Sequence, residues 1–563
     1  MVGQGMPDAN LSDTIAQQRR ILAHDPDDVT ALMTLGLSLC KTGAAAEALP
    51  HLARAEQLAP RMPEAKRALA EGLLLTGRRG EAIARLLAAL EIAPERPILL
   101  MRTSRLLVEA ERYAEALPLL QRLVVMPGAP PDSLVFLAQC YERCQRHEEA
   151  VSTLERIAAR HPDDPVAHFN LGKALTAAGR AEDAVTAYQQ AAVLAPGMTE
   201  AHCNLSTPLR DLGRYDKAEA AARQALALRP DYPNAHQNLA QALFGQGRLS
   251  EAWAEHAWRW KNAKTSRKVG WRDFAQPYLE RPPEAGERLL VWGEEAIGEE
   301  ILFASMVPEL AERGIACIFE CAPRLAPLFA RSMPGVTVVP RSDPPDAACL
   351  DPAIGGQTSS GDLGRWLRPG FDAFPDRRSY LQADPQRAAA LRKTYRARGD
   401  GPVIGISWRS KHAGLTRHKS TQLADWLPIL RARDANFVNL QYGDCTEEIA
   451  NLNSEHGIAV YDDPEVDSFV SLDDFAAQVA AMDLVISVSN TTVHMAGALG
   501  VETWAMIPAG RGAYWFWFPE KESSPWYPSV RLYRQEDPFD WAPPIAAIGT
   551  KLENWRATEA ESA

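Results

Sequence analysis

Two patterns of apolar residues divide this chain of 563 residues. Over the first half, small and apolar positions recur with helical spacing inside a longer period of 34 residues. Alanine returns at Ala48, Ala82, Ala116, Ala150, Ala184, Ala218 and Ala252, each after a short polar turn such as TGRRGEA or LGRYDKA. Twelve positions earlier stand Gly36, Ala70, Ser104, Ala138, Gly172, Ser206 and Ala240. Twelve positions later come Pro60, Pro94, Pro162, Pro196 and Pro230, with Pro127 one place early. Small residues let two antiparallel helices approach closely, and each proline stops the second helix, because it lacks a donor and clashes with the turn before it. After Trp260 the period dissolves into a polar, proline-containing stretch. The pattern then changes to short β-rich apolar runs separated by amphipathic segments. The strands are ERLLVWGE, ACIFECA and VTVVP, then PVIGISW, NFVNLQYG, DLVISVS and ETWAMIP, with helices between them. Such alternation predicts parallel sheets covered on both faces.

The 34-residue spacing is that of tetratricopeptide repeats, which stack into a superhelix with a concave groove. The reading is an N-terminal all-α superhelix followed by an α/β half of two Rossmann-like lobes. A cap helix lies within 1–28, seven repeats occupy 29–266, and 267–285 is a connector. The first lobe spans 286–395 and the second 396–563, joined near 384–401. In the last three repeats AHFNLGKAL, AHCNLSTPL and AHQNLAQAL place Asn170, Asn204 and Asn238 one period apart, at the end nearest the second half. Stacking would line them along the groove, where each side-chain amide can donate to and accept from an extended peptide. This resembles the asparagine ladder of the O-linked N-acetylglucosamine transferase superhelix. NLG is also common in first helices of such repeats.

Charge and cysteine usage narrow the partners. A formal charge of −12 lacks the basic excess that nucleic acid or an anionic membrane selects. Eight cysteines without a CxxC pair argue for neither a disulfide framework nor a zinc site. The N-terminus shows no basic region followed by an apolar one, and no apolar run is long enough to span a bilayer. A cytoplasmic location without membrane insertion is expected.

Candidate chemistry lies at the carboxyl ends of the predicted strands, where such sheets bind ligands. SVSNTTVHMAGALG follows the strand DLVISVS, so helical spacing starts at Asn490, Thr491 or Thr492, and a helix start there would hold a phosphate. His494, one turn on, would share that face; it is expected to contact phosphate or ribose, or to bond a neighbouring strand. WRSKHAGLTRHKS brings Trp408, Arg409, Ser410, Lys411, His412, Arg417, His418 and Lys419 to the same rim, with Arg409 suited to fork onto phosphate. Gln441, Tyr442 and Gly443 end the next strand. In the first lobe, WGEEAIGEEILF places Glu299 in a helix's first turn, where an acid either caps the helix or serves a cleft. Trp515, Trp517 and Trp526 form an aromatic segment whose commoner role is packing.

LLVWGEEAIGEEILFASMVPEL, GISWRS, FVNLQYGD, SLDDFAAQVAAMDLVISVSNTTVHMAGALG and SSPWYPSVRLYRQ, in this order, make the second half similar to GT-B glycosyltransferases. The likeness is to the heptosyltransferase-related branch, and within it to the alphaproteobacterial flagellin glycosyltransferases. That resemblance implies a protein O-glycosyltransferase that docks flagellin through its repeats. It implies transfer of a pseudaminic-type nonulosonic acid from a CMP-activated donor to serine or threonine, in support of flagellar filament assembly. The first lobe would take the acceptor and the second the nucleotide sugar, with no metal or other cofactor, since the enzyme half carries no convincing DxD motif. Heptosyltransferase relatives carry Gly-Asp in the first-lobe loop, with aspartate as base; here Gly298-Glu299 stands in its place. Glu299 is therefore the first candidate base, with His494 second to it because His494 sits on the nucleotide side. A UDP-sugar donor, or a non-catalytic adaptor with a degenerate GT-B half, remain alternatives.

Overall fold

The computed structural model describes residues 8–130, 132–262, 270–294, 296–411 and 416–556. His412 of the basic loop, residues 263–269 at the junction of repeats and connector, and the ends of the cap and second-lobe ranges lie outside the described residues. The chain forms two compact units, Met1–Arg180 and Ala181–Ala563.

The first unit is all helical. A cap helix, Asp8–His24, precedes helix pairs that run from Val29–Lys41 with Ala45–Leu58 to Asp132–Arg143 with His147–Arg160, and the unit ends on Pro165–Ala178. The periodic residues do what their size allows. Ala48, Ala82, Ala116 and Ala150 have no exposed surface, and a Cβ on Gly36 would meet Leu52 at 2.5 Å, so glycine sets how closely that pair approaches. Prolines 60, 94 and 162 each stand two residues beyond the last residue of a second helix. The turn within each pair adopts a positive φ at one fixed position. Gly43, Gly77 and Gly179 occupy it in three repeats, and Glu111 and Gln145, at φ 58° and 59°, take it in the others. Side chains other than glycine adopt that region at a cost.

The second unit opens with the helices Ala181–Leu194, Thr199–Asp211, Tyr215–Leu228, Pro233–Gly245 and Leu249–His256, then builds two parallel sheets. In the first, strands β1 (Arg288–Trp292), β2 (Ala316–Cys321), β3 (Val336–Pro340) and β4 (Gly356–Ser359) lie in the order β3-β2-β1-β4. In the second, β5 (Val403–Ser407), β6 (Asn436–Asn439), β7 (Val460–Tyr461), β8 (Leu484–Val488), β9 (Thr503–Ile507) and β10 (Val530–Arg534) lie in the order β10-β9-β8-β5-β6-β7. All ladders are parallel. Strand order reverses beside β1 in one sheet and between β5 and β8 in the other, the places where parallel sheets open a crevice.

Two segments differ from the sequence reading. Connector residues 277–279 add to the edge of β4, with Leu279 N–H donating to the Gln357 carbonyl at 2.8 Å and Gln357 N–H to Pro277 at 2.9 Å. Residues 385–396, assigned by sequence to the first lobe and the joining stretch, form a helix that packs on the second lobe. There Leu391 is buried and the Tyr395 hydroxyl donates to Asp463 at 2.7 Å.

A buried charge cluster joins the last repeat to the first lobe. The Arg259 guanidinium bonds Glu294 through Nε (3.1 Å) and Nη2 (2.8 Å), and Asp362 (2.5 Å) and the His256 carbonyl (3.1 Å) through Nη1. Asp362 also accepts from Trp260 Nε1 at 3.0 Å and the Tyr278 hydroxyl at 2.6 Å. Burial would raise the Asp362 carboxyl, but Arg259 and Tyr278 outweigh it and hold the group below the ordinary carboxylate range.

Candidate functional site

The turn after β1 and the turns after β5 and β8 face each other across a cleft of about 350 Å³. From the first lobe, Ala296 to Glu299 open the helix Ile297–Ala304; from the second come Ser410, Lys411, Lys419, Tyr442, Asn490, Thr491, His494 and Tyr514. The two helix starts nearly touch. A Cβ on Gly298 would lie 2.9 Å from Cδ2 of His494 and 3.6 Å from the Thr491 hydroxyl, so the glycine is required by the approach of the lobes.

Asn490 lines the cleft but is occupied as a brace. Its carbonyl oxygen accepts from Thr492 N–H (2.9 Å), capping the helix Thr491–Ala498, and from the Ser487 hydroxyl (3.1 Å). Its amide nitrogen donates to the Ser407 hydroxyl (2.8 Å) and the Arg409 carbonyl (2.9 Å), tying the end of β8 to that of β5. A carboxamide has two donors and two acceptor positions; both donors and one acceptor position are used, and the Ser487 hydroxyl is shared between the other and the Val488 carbonyl at 2.8 Å. Thr492 is buried and does not line the cavity; Thr491 is the hydroxyl at its edge.

The basic loop separates into inward and outward parts. Trp408 is wholly buried, with its indole N–H donating to Glu448 at 2.7 Å. Arg409 pairs with the other oxygen of Glu448 at 2.8 Å and does not line the cleft, so the expected phosphate fork is turned onto a protein carboxylate. Gln441 braces the same turn, its oxygen accepting from Trp408 N–H (3.0 Å) and Arg409 N–H (2.6 Å). Tyr442 lines the cavity and its hydroxyl accepts from Lys411 N–H; Gly443 makes the following turn at φ +83°.

Lys419 is the cation that the sequence did not separate from its neighbours Arg417 and His418. It is 4% exposed, opens onto the cleft, and lies 4.2 Å from the centre of the Tyr514 ring. Burial lowers its ammonium to about 8, partly offset by the negative charge of Glu299. At neutral pH it is a buried cation facing a carboxylate across the cleft. His494 is a neutral wall. Burial, with Lys419 adding to it, lowers the imidazole to about 3. Its Nδ1 shares a 3.2 Å hydrogen bond with the Tyr527 hydroxyl and its ring stacks on Trp517 at 5.2 Å. Glu300, beside Glu299, points into the first lobe, accepts from Ala322 N–H at 2.6 Å, and is raised by burial to about 7.

A second cavity of about 300 Å³ adjoins the cleft through Tyr442. Asp444, Asp462, Asp467 and Phe469 are among its lining residues, so one cavity is cationic and its neighbour acidic.

Of the ladder, Asn170, Asn204 and Asn238 are each half-buried on first helices. Asn238 donates to the Cys203 carbonyl of the preceding repeat at 2.8 Å, so its donor serves the array. The histidine two places earlier is structural as well. His168, His202 and His236 bond the carbonyls of Pro162, Pro196 and Pro230 at 2.8, 3.0 and 2.8 Å, latching each first helix to the proline before it.

The array and the two α/β lobes define a tetratricopeptide-repeat protein with a second, sheet-built half. Family models described as tetratricopeptide repeat match residues 15–63 and 67–133, and residues 107–168, 146–202 and 209–254. The chain is similar to Protein FlbA of Caulobacter vibrioides, with 35% identity over 286 residues that cover 48% of this chain and 47% of the relative. It thus spans about half the length of that curated relative. Among solved structures it is similar to Naa15/Naa10 bound to HypK-THB (17% identity, 46% of this chain and 43% of that one, TM-score 0.35). It is also similar to a thermophilic tetratricopeptide-repeat protein of Thermus thermophilus (27% identity, 30% and 92%, TM-score 0.26).

Proposed function

We propose that the protein is a GT-B O-glycosyltransferase that docks flagellin through its repeats and transfers a pseudaminic-type nonulosonic acid from a CMP-activated donor to serine or threonine. The observation that carries this reading is the cleft, in which Glu299 on one lobe faces Lys419 and Lys411 on the other. Resemblance of the sheet-built half to the flagellin glycosyltransferase FlmG supports the choice of acceptor.

In this scheme Glu299 takes the proton of the acceptor hydroxyl as its oxygen bonds the anomeric carbon. The bond from that carbon to the phosphate oxygen breaks, and CMP leaves with the electron pair. The charge it gains forms beside Lys419, a cation already desolvated and in place. Asn490, Gln441 and Trp408 act behind this surface, fixing the turns that present it.

The adjoining cavity favours a cytidine over a uridine donor. Its carboxylates accept hydrogen bonds, which cytosine donates through its exocyclic amine, whereas uracil presents the acceptor O4 at that position and donates only from N3. Titration with CMP and UMP by calorimetry tests the donor, with tighter CMP binding expected; equal affinity refutes the cytidine preference. Intact mass of flagellin co-expressed with a donor pathway, with and without this protein, tests the transfer. A sugar increment that depends on the protein and is lost in Glu299→Ala is expected. No increment overturns the transferase reading.

A further inference from the structure

We propose that Phe244, on the first helix of the last repeat, is a positioning residue for the cleft, acting through the segment Tyr514–Phe518 to hold Tyr514 against Lys419. The inference rests on the reading of that cleft as an anion-binding site.

The path is continuous. Phe244 and Trp515 stack with ring centres 3.8 Å apart and planes 14° from parallel, and Trp253 of the same repeat meets Trp515 edge-on at 5.3 Å. Trp515 is flanked in sequence by Tyr514, whose ring covers the Lys419 ammonium at 4.2 Å. The far end of the segment belongs to the second lobe. Trp517 Nε1 donates to the Ser489 hydroxyl at 2.9 Å, and Arg534 donates to the carbonyls of Trp517 and Phe518 at 2.6 and 2.9 Å. Phe518 itself sits at φ 40°, a conformation that a phenylalanine holds only when its surroundings impose it. The segment is therefore held by the lobe through Trp517 and Phe518 and by the repeat through Trp515, and Tyr514, whose ring also stacks on Phe516 at 5.1 Å, precedes the repeat-held residue directly. A repeat residue outside the cavity lining thus bears, through Trp515, on the backbone that carries an aromatic wall of it.

Removing the stack while keeping an apolar side chain separates positioning from packing. In Phe244→Leu, Tyr514 should lose its fixed place, and in Phe244→Trp it should keep it. The groups facing Lys419 are Glu299 on the first-lobe helix, His494 on the helix Thr491–Ala498, and Tyr514. Its titration, followed by NMR of ε-13C-lysine-labelled protein and assigned with Lys419→Arg, should have a midpoint near 8 in the wild type. The midpoint should move toward the ordinary lysine value in Phe244→Leu and stay near 8 in Phe244→Trp. At pH 6.5, where Lys419 is charged in every variant, affinity for inorganic pyrophosphate should fall about three- to tenfold in Phe244→Leu only. An unmoved midpoint in Phe244→Leu, or equal shifts in Leu and Trp variants that melt like the wild type, overturns the proposal. Wild-type protein that binds no pyrophosphate refutes the anion-site reading instead, while the lysine titration still decides the positioning.

Discussion

Replacing Arg259 with methionine leaves two carboxylates, Glu294 and Asp362, with no exposed surface and without their guanidinium. Removing one partner from a buried ion cluster typically costs about 3–5 kcal/mol, because the remaining charge is desolvated and uncompensated. At about 2.1 cal/mol/K of unfolding entropy per residue, the roughly 380 residues of the second unit give about 0.8 kcal/mol/K. A loss of about 4 kcal/mol then lowers the melting temperature of that unit by roughly 5 °C. The variant Arg259→Met/Glu294→Gln/Asp362→Asn removes all the charge and should recover most of the loss, since no ion remains buried. The pH dependence follows from Asp362. In the wild type its depressed carboxyl contributes stability that is present above about pH 4 and lost as pH falls below it. In Arg259→Met that carboxyl is raised by burial instead, so the penalty is largest at high pH and eases on acidification. Calorimetric melts at pH 7.5 and 5 check this, with a smaller gap from wild type at pH 5. A shift below about 1 °C at pH 7.5, or a triple variant no more stable than Arg259→Met, refutes the reasoning.

Three further substitutions test other parts of the molecule. Gly298→Ala drives a methyl into His494, which Tyr527 and Trp517 hold in place, and should destabilise by about 1–3 kcal/mol; unchanged melting would show that this contact does not set the lobe spacing. His494→Gln should flatten the fall in stability below pH 6.5. The native imidazole, lowered to about 3 by burial, resists a proton that the unfolded chain takes up, a difference of about 2 kcal/mol at pH 5. Equal slopes for wild type and variant between pH 7 and 5 would contradict a buried neutral histidine. Gln145→Gly relieves a left-handed side chain at the turn where other repeats carry glycine, and should stabilise the first unit by about 0.5–1 kcal/mol in urea melts; a loss of stability would contradict it.

The sequence by itself determined the array and most of the sheet-built half. A 34-residue period constrains every repeat at once, so small residues, prolines and turns each declare their place in it. Apolar strands such as β1 and β8 announce themselves because both faces of a parallel strand are buried. It also brought Glu299, Thr491 and the basic loop to the carboxyl ends of strands, where a crevice was expected. What it could not supply was the direction of each side chain. Strand β4, GQTS, is buried yet polar, and reads as a strand only once Trp292 Nε1 is seen donating to Gln357 at 3.0 Å. Arg409 and Lys419 look alike in a basic loop, but Glu448 takes the first outward, and Tyr514, nearly a hundred residues later, covers the second inside the cleft. Asn490, a capping residue by pattern, became a brace because Ser407 and the Arg409 carbonyl lie on the neighbouring strand end. Local spacing is a property of the chain, whereas burial and partnership are set by residues that only folding brings together.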